Sequence, residues 1–194
     1  MGDPAKKRAT YQDLMAVPLR FVAEILHGVL HVHRRPAPKH ANTAAELGGD
    51  VRMRFHRGDG GPGGWWILDE PELHLLVDDV LVPDIAGWRL ETMTDLPETA
   101  YFPIRPDWVC EVLSPSTAAV DRAEKMPIYA DAGVGHAWLV DPILKTLEVF
   151  QREGKSWLLL ATYKDEAAIR AAPFDAVELD LGALWRPPAR SQVR

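Results

Sequence analysis

The chain has 194 residues, of which 47% are hydrophobic, and a formal net charge of −6. This length predicts one domain over residues 1–194, with short flexible tails over residues 1–10 and 187–194. The single cysteine, Cys110, excludes an internal disulfide framework and a cysteine-rich zinc site, and it predicts a reducing, cytoplasmic location. We expect no membrane segment, because no run of about eighteen uncharged apolar residues occurs.

The N-terminal part of the chain predicts a short helix followed by a hairpin. Residues Tyr11–Val17 can open a helix that Pro18 stops. Two β-type runs follow, Phe21–Leu26 and Val29–His33, and the dipeptide His27-Gly28 joins them. A tight Gly-containing connection between two such runs is typical of a hairpin.

A longer helix is predicted over Ala41–Phe55, after the proline-rich break PAPKH. Its apolar residues recur at helical spacing and form one stripe: Ala44, Leu47, Val51 and Phe55. Gly48 and Gly49 weaken this helix by roughly 1 kcal/mol each relative to alanine. The sequence GDGGPGG predicts a loop directly after it.

The second half of the chain is rich in predicted strands. These are Trp65–Leu68, Leu73–Val77, Val80–Trp88, Trp108–Leu113, Ala137–Val140, Thr146–Gln151 and Trp157–Tyr163. A helix is predicted over Thr117–Ala132, which Pro127 should kink or divide and Gly133 should end. The fold class predicted is α/β (mixed α+β), with a mixed central β-sheet flanked by a few helices.

Two acidic residues stand where buried strands are expected. Asp84 follows Pro83 in VLVPDIAGW, and Glu111 lies inside the apolar run WVCEVL. Burying an ionised carboxylate costs several kcal/mol unless a partner neutralises it. A bend at Pro83 would bring the two carboxylates together, and they would repel unless a cation lay between them. With oxygen ligands alone, the cation expected is Mg²⁺ or Mn²⁺.

Lys125 is the residue expected to complete this site, because it lies on the helix that follows the Glu111 strand. A nearby lysine would add positive charge for the transition state of phosphate hydrolysis. The alternative interpretation needs no metal: Asp84 is then a turn residue, and Glu111 lies on a solvated edge. Asp121 and Lys125, at positions i and i+4, would then form an exposed pair worth about 0.3–0.5 kcal/mol.

Positive charge is concentrated between His31 and Arg57. This segment carries six Lys/Arg and two acids, a local charge of +4, which leaves −10 for the rest of the chain. It is either a solvated charged face or a patch that faces phosphate groups. The second interpretation assigns DNA contacts to six residues: Arg34, Arg35, Lys39, His40, Arg52 and Arg54.

Two further motifs have a structural and a chemical interpretation. Ser114 and Ser116 lack the Gly-X-Ser-X-Gly context of a nucleophile, which favours capping and turn roles. His31 and His33 would share one face of a strand, but no cysteine or acid joins them at the ligand spacing of a zinc site.

The same residues carry a resemblance to a known family. The matching words are FVAEILHGVLHV, PAPKH, VLVPDIAGW, PDWVCEVLSPSTAAVDRAEKMPIYADAGVGHAWLVDP and TLEVFQREG. From Tyr11 to Leu184 the sequence resembles the Uma-two family of restriction endonucleases, within the PD-(D/E)XK nuclease superfamily. The resemblance implies a restriction-endonuclease-like core and a Mg²⁺-dependent endonuclease that hydrolyses DNA, for which a homodimer is expected. The alternative is a nuclease-like fold that binds nucleic acid or a protein partner without cutting.

The resemblance also implies roles for individual residues. Asp84 and Glu111 take the places of the two metal-binding acids, and the backbone carbonyl of Val112 would be a further ligand. Glu24 matches a glutamate that such nucleases place near the metal. Lys125 would replace the lysine that normally stands two residues after the second acid.

Two positions complicate this comparison. The residue two after Glu111 is Leu113, so the literal E-X-K motif is broken, and the lysine must come from the following helix. His40 matches a histidine at the start of the first long helix, for which the sequence gives no firm role.

Overall fold

The first half of the chain supplies a small sheet, the long helix and two strands of a larger sheet. The structure is a computed structural model in which residues 8–187 are described. The elements of this half are α1 (Tyr11–Met15), β1 (Phe21–Leu26), β2 (Val29–Arg34), α2 (Pro38–Val51), β3 (Trp65–Asp69), β4 (Leu73–Leu76), β5 (Asp79–Leu81) and β6 (Ile85–Arg89). Strands β1, β2, β4 and β5 form the smaller sheet, in the order β2-β1-β5-β4.

The second half of the chain completes the central sheet. Its elements are β7 (Trp108–Val112), α3 (Ala118–Val120), α4 (Met126–Ala132), β8 (His136–Asp141), β9 (Thr146–Glu153), β10 (Ser156–Lys164), β11 (Ala168–Ile169) and β12 (Leu179–Asp180). Among the described residues the central sheet has six strands, in the order β10-β9-β8-β7-β6-β3. Its β7 and β8 are parallel and the other neighbours are antiparallel, so the predicted mixed sheet with few helices is confirmed.

Helix α2 confirms the predicted first long helix and begins three residues before Ala41, at Pro38. Proline is tolerated there because a first-turn residue has no intrahelical N–H bond to lose. The helix passes through both glycines and continues as a π-helical turn, Arg52–His56. A Cβ on Gly48 would lie 2.8 Å from Asp69 Oδ1 and 3.6 Å from Ile85 Cδ1, so this glycine lets α2 approach the sheet closely.

The predicted strand Val80–Trp88 is wrong as a single element. It divides into β5, in the smaller sheet, and β6, in the central sheet. Pro83 lies in the break, and a residue without a backbone N–H cannot continue a sheet ladder. The break places Asp84 where the chain passes from one sheet to the other.

The helix predicted after β7 is present in three consecutive pieces. Between α3 and α4, the residues Asp121–Lys125 form a π-helical segment, and Pro127 occupies the first turn of α4. Gly133 ends α4 in the left-handed region with a φ of 88°, as predicted. The π-helical segment places the side chains of Asp121 and Lys125 close together in the protein interior.

The side chains of β7 divide the protein core between the two faces of the central sheet. Trp108, Cys110 and Val112 pack on one face, and Val109 packs on the other with residues of α4. Alternate residues of a strand point to the same face. Glu111 therefore points to the face of the sheet on which α4 packs, where the Tyr129 hydroxyl and Lys125 contact it.

Parts of both predicted tails, residues 1–7 and 188–194, lie outside the described residues. Close to the first of them, the Ala9 N–H donates to the Gly28 carbonyl and Thr10 caps α1. Within residues 8–187, no helix combines the length and apolarity needed to cross a membrane.

Candidate functional site

The predicted acids converge on one cavity of about 290 Å³, which we call the central cavity. It lies between the β1–β2 hairpin, the β5–β6 junction and the C-terminal end of β7. Its ionisable lining residues are Glu24, His33, Arg34, Arg35, His40, Glu70, Asp84, Glu111, Asp121 and Lys125. The sequence predicted a metal role or a charge-stabilising role for Glu24, Asp84, Glu111 and Lys125, and all four line it.

Lys125 lies at the centre of the acids. Its Nζ is 2.8 Å from Glu111 Oε1 and 2.9 Å from Glu24 Oε1, and it is 3.9 Å from Asp121 Oδ1. It also donates to the Val82 carbonyl at 3.2 Å. Burial lowers the pKa of Lys125, but the charges of Glu111 and Glu24 outweigh burial and raise it above its ordinary value. Lys125 is therefore a charged, buried counterion.

Asp84 is fixed by the end of β7 and by α2. The Val112 N–H donates to Asp84 Oδ2 at 2.7 Å, and His40 Nε2 lies 3.3 Å from the same oxygen. Burial lowers the pKa of His40, but the Asp84 carboxylate and the backbone of Val112 raise it to a net value above the ordinary one. The Val112 N–H and His40 therefore hold one oxygen of the Asp84 carboxylate, Oδ2, in place.

Three carboxylates surround the single ammonium group of Lys125. Burial raises the pKa of Glu111 well above its ordinary value, and nearby acids add to this shift, although Lys125 opposes it. Burial also raises the pKa of Asp121 to about 6, again against the effect of Lys125. Both shifts come chiefly from burial, and the excess of negative charge follows from the three carboxylates, those of Glu24, Glu111 and Asp121, that share one lysine. This excess favours the binding of a further cation.

The donor set fits a hydrated divalent ion better than a closed protein cage. Among residues 8–187, no group of three or more His, Cys, Asp or Glu side chains is arranged to hold a metal ion. Mg²⁺, however, binds through one or two carboxylates and keeps several waters. Asp84 Oδ1 and Glu111 Oε2 make no hydrogen bond or ion pair with described residues. These two oxygens and the Val112 carbonyl form the set that suits Mg²⁺ or Mn²⁺.

The residues predicted to contact DNA do not form one patch. Arg34 and Arg35 line the central cavity, whereas Lys39 lines another cavity beside Trp185. His40 is largely buried at the wall of the central cavity, where its ring lies 3.3 Å from Asp84 Oδ2.

Two other predicted DNA contacts are partly exposed and interact with neighbouring groups of the protein. Arg52 Nη1 donates to the Ile67 carbonyl at 2.7 Å. Arg54 Nη2 lies 3.8 Å from Asp50 Oδ1, one helical turn earlier. The positive residues of this segment are thus in two places. Arg34 and Arg35 line the central cavity, and Arg52 and Arg54 follow α2 and interact with groups beside it.

Tyr129 is the site residue that the sequence analysis missed. Its hydroxyl donates to Glu111 Oε1 at 2.6 Å, and both side chains are buried. The sequence signal for Tyr129 was its position four residues after Lys125, because this spacing places the lysine ammonium group and the tyrosine hydroxyl on one helical face. Its aromatic ring made it indistinguishable from an ordinary core residue.

The serines and histidines weighed earlier make local contacts. Ser114 Oγ lies 3.0 Å from both Ser116 Oγ and Thr117 Oγ1, at the wall of the central cavity. His31 Nε2 lies 3.3 Å from Glu124 Oε2, and His33 Nε2 lies 4.0 Å from a Glu24 oxygen.

The fold is of the nuclease-like class. A solved structure with this fold, described as a putative nuclease belonging to DUF820 from Anabaena variabilis ATCC 29413, matches with a TM-score of 0.71 and 19% sequence identity. The match covers 91% of this chain and 97% of that chain, and it shows a common fold. The chain matches no curated protein sequence.

The particular family follows from the sequence. The family model described as "Uma2: Putative restriction endonuclease" matches residues 9–182. The chain belongs to this family, which confirms the resemblance and the fold class predicted from the sequence.

Proposed function

We propose that the protein is an endonuclease that uses Mg²⁺ or Mn²⁺ to hydrolyse phosphodiester bonds of DNA. One observation carries the proposal: Asp84, Glu111, Glu24 and Lys125 line one cavity although they come from four separate places in the chain. The family and the fold are those of nucleases. A structural role alone would not explain why so many acids surround one lysine in a cavity open to solvent.

Each residue has a defined part in this proposal. Asp84 Oδ1, Glu111 Oε2 and the Val112 carbonyl hold the ion, which when bound lowers the pKa of a water molecule and stabilises charge on the phosphate. Lys125 keeps Glu111 in place and supplies positive charge beside the ion. Glu24 holds Lys125 from the other side and also accepts a hydrogen bond from the Val82 N–H.

The same proposal includes the DNA contacts, the cellular location and the oligomeric state. Arg34, the last residue of β2, is the cation at the cavity wall that we expect to contact phosphates beside the cleaved bond, and Arg35 lies next to it but also pairs with Glu70 at 3.1 Å. We assign the protein to the cytoplasm, where a lone buried thiol such as Cys110 stays reduced. A homodimer would supply one cavity for each strand of a duplex.

The test is cleavage of supercoiled plasmid in Mg²⁺ and, separately, in Mn²⁺. We expect nicked or linear products from the wild type and none from Asp84→Asn, which keeps the shape of the side chain but removes its charge. Asp95→Asn is the matched control, because Asp95 is exposed and does not line the central cavity. Equal cleavage by the wild type and Asp84→Asn would refute the assignment.

A second function is a nuclease-like protein that binds nucleic acid or a protein partner without cutting. The observation that favours it is the position of Lys125, which already neutralises part of the acid cluster without any metal ion. The two functions differ in Mn²⁺ titration. A catalytic site binds the ion and loses it in Asp84→Asn, whereas a non-cutting binder retains DNA affinity and takes up no Mn²⁺.

A further inference from the structure

Two donors, the Tyr129 hydroxyl and the Lys125 ammonium group, contact the same oxygen of Glu111. Tyr129 Oη lies 2.6 Å from Glu111 Oε1, and Lys125 Nζ lies 2.8 Å from it. The other oxygen, Oε2, makes no hydrogen bond or ion pair with a described residue. The two oxygens of the Glu111 carboxylate therefore differ: Oε1 is bound to the protein, and Oε2 is available to bind a ligand.

Tyr129 reaches Glu111 from the protein core and not from the cavity. Its side chain is fully buried and packs in the apolar cluster that contains Leu139 and Val134. It is absent from the residues that line the central cavity, although Glu111 and Lys125 both line it. The Tyr129 hydroxyl therefore cannot touch a substrate, and any effect it has must pass through Glu111.

We propose that Tyr129 is a positioning residue, which holds Glu111 in the orientation that presents Oε2 to a divalent ion. This inference rests on the proposed metal-dependent function and deepens it. A glutamate has three side-chain torsions, and a single donor on one oxygen leaves the carboxylate free to rotate about it. The second donor comes from a ring that the core holds rigid, so it fixes the plane of the carboxylate as well as its position.

The expected effect is on metal affinity. Hydrogen-bond partners that orient a metal ligand typically contribute 10-fold to 100-fold to affinity. Tyr129→Phe keeps the ring and its packing and removes only the hydroxyl. We therefore expect the dissociation constant for Mn²⁺ to rise about 10-fold to 100-fold. The KM for DNA should stay unchanged, because Tyr129 does not line the cavity.

The experiment is isothermal titration of the full chain with Mn²⁺, comparing the wild type, Tyr129→Phe and Tyr163→Phe. Tyr163, on β10, is the matched control, because its hydroxyl donates to the Arg170 carbonyl and it does not line the central cavity. Circular dichroism at the titration temperature establishes that each variant is folded. A second measurement is the Mn²⁺ concentration that gives half-maximal plasmid cleavage. Excess Mn²⁺ should restore cleavage by Tyr129→Phe, which a general folding defect would not allow.

The outcomes separate this inference from the proposed function. Weaker Mn²⁺ binding in Tyr129→Phe, with wild-type binding in Tyr163→Phe, supports the positioning role. Equal binding by the wild type and Tyr129→Phe, with binding lost in Asp84→Asn, overturns the positioning role and leaves the metal site intact. A folded wild type that takes up no Mn²⁺ overturns both.

Discussion

Lys125 Nζ lies 2.8 Å from Glu111 Oε1, and both side chains are about 4% exposed. The pair joins the C-terminal part of β7 to the helical segment that follows it. It differs from a surface ion pair, because Glu24 and Asp121 share the same lysine. In so buried a cluster, removal of the lysine charge leaves the carboxylates without compensation, and the loss should be visible in stability as well as in activity.

Lys125→Met should lower the free energy of unfolding by about 3–5 kcal/mol at pH 7.5, the range found when one partner of a buried ion pair is removed. Methionine keeps much of the aliphatic length of lysine, so the change tests charge more than packing. Urea unfolding with EDTA present measures the effect without metal. Lys155→Met is the control, since Lys155 pairs with Asp131 at an exposed position and should change stability by less than about 0.5 kcal/mol. A loss below about 1 kcal/mol in Lys125→Met would contradict the buried-counterion role.

Asp121→Asn should stabilise the metal-free protein at pH 7.5. The pKa of Asp121 is raised to about 6 in the folded protein, chiefly by burial, so folding favours the protonated form. The wild type therefore loses stability as the pH rises from about 4, the ordinary pKa of an aspartate, to about 6. Asparagine cannot ionise, and the expected gain at pH 7.5 is about 1–3 kcal/mol, shrinking toward zero near pH 4.

Urea unfolding of the wild type and Asp121→Asn at several pH values, with EDTA, measures this difference. Asp95→Asn is the control, because Asp95 is exposed and its substitution should leave stability within about 0.5 kcal/mol. A gain in Asp121→Asn that is the same at pH 4 and pH 7.5 would show that ionisation of Asp121 is not its cause.

The candidate site could be inferred from the sequence at the two positions where a charged residue conflicts with its apolar or strand context. Glu111 lies in an otherwise apolar strand, and Asp84 follows a proline inside a strand-like run. A buried carboxylate costs free energy unless a partner neutralises it, so both positions predict a nearby cation. The hairpin, α2 and the strands around the central sheet were predicted from spacing alone. The central cavity brings Glu24, Asp84, Glu111 and Lys125 together.

Other features depended on contacts between distant segments. Tyr129 has the composition of a core residue, and only its hydroxyl contact with Glu111 marks it as part of the site. The division of Val80–Trp88 between two sheets required knowing which strands pair with each half. The DNA patch over Arg34–Arg54 was inferred from positions along the sequence, whereas in the fold Arg52 donates to the Ile67 carbonyl and Arg54 pairs with Asp50.

Gly87→Ala should destabilise the protein by about 1–3 kcal/mol, the usual effect of adding a methyl group to a packed core. A Cβ there would lie 2.9 Å from Ile67 Cδ1 and 3.2 Å from Trp108 Cε3, and the buried indole has little room to move. Gly49→Ala is the matched control, since no atom outside its own helix lies within 4 Å of a Cβ at that position. Alanine in an exposed helix should stabilise by roughly 0.5–1 kcal/mol. Thermal unfolding of both variants tests the opposite signs, and stabilisation of Gly87→Ala would contradict the packing described for β6.

Arg34→Ala should weaken DNA binding and make it less sensitive to salt. Arg34 is exposed at the wall of the central cavity and has no side-chain hydrogen bond or ion pair with any residue in the described range 8–187, so its charge is available to a phosphate. Loss of one phosphate contact reduces the slope of log Kobs against log salt by about 0.9. Fluorescence anisotropy with a labelled duplex in EDTA, at several salt concentrations, measures the slope without cleavage. Lys164→Ala removes an exposed charge on β10, outside the central cavity, and should leave the slope unchanged. If Arg34→Ala and Lys164→Ala give the same slope as the wild type, DNA does not enter beside Arg34.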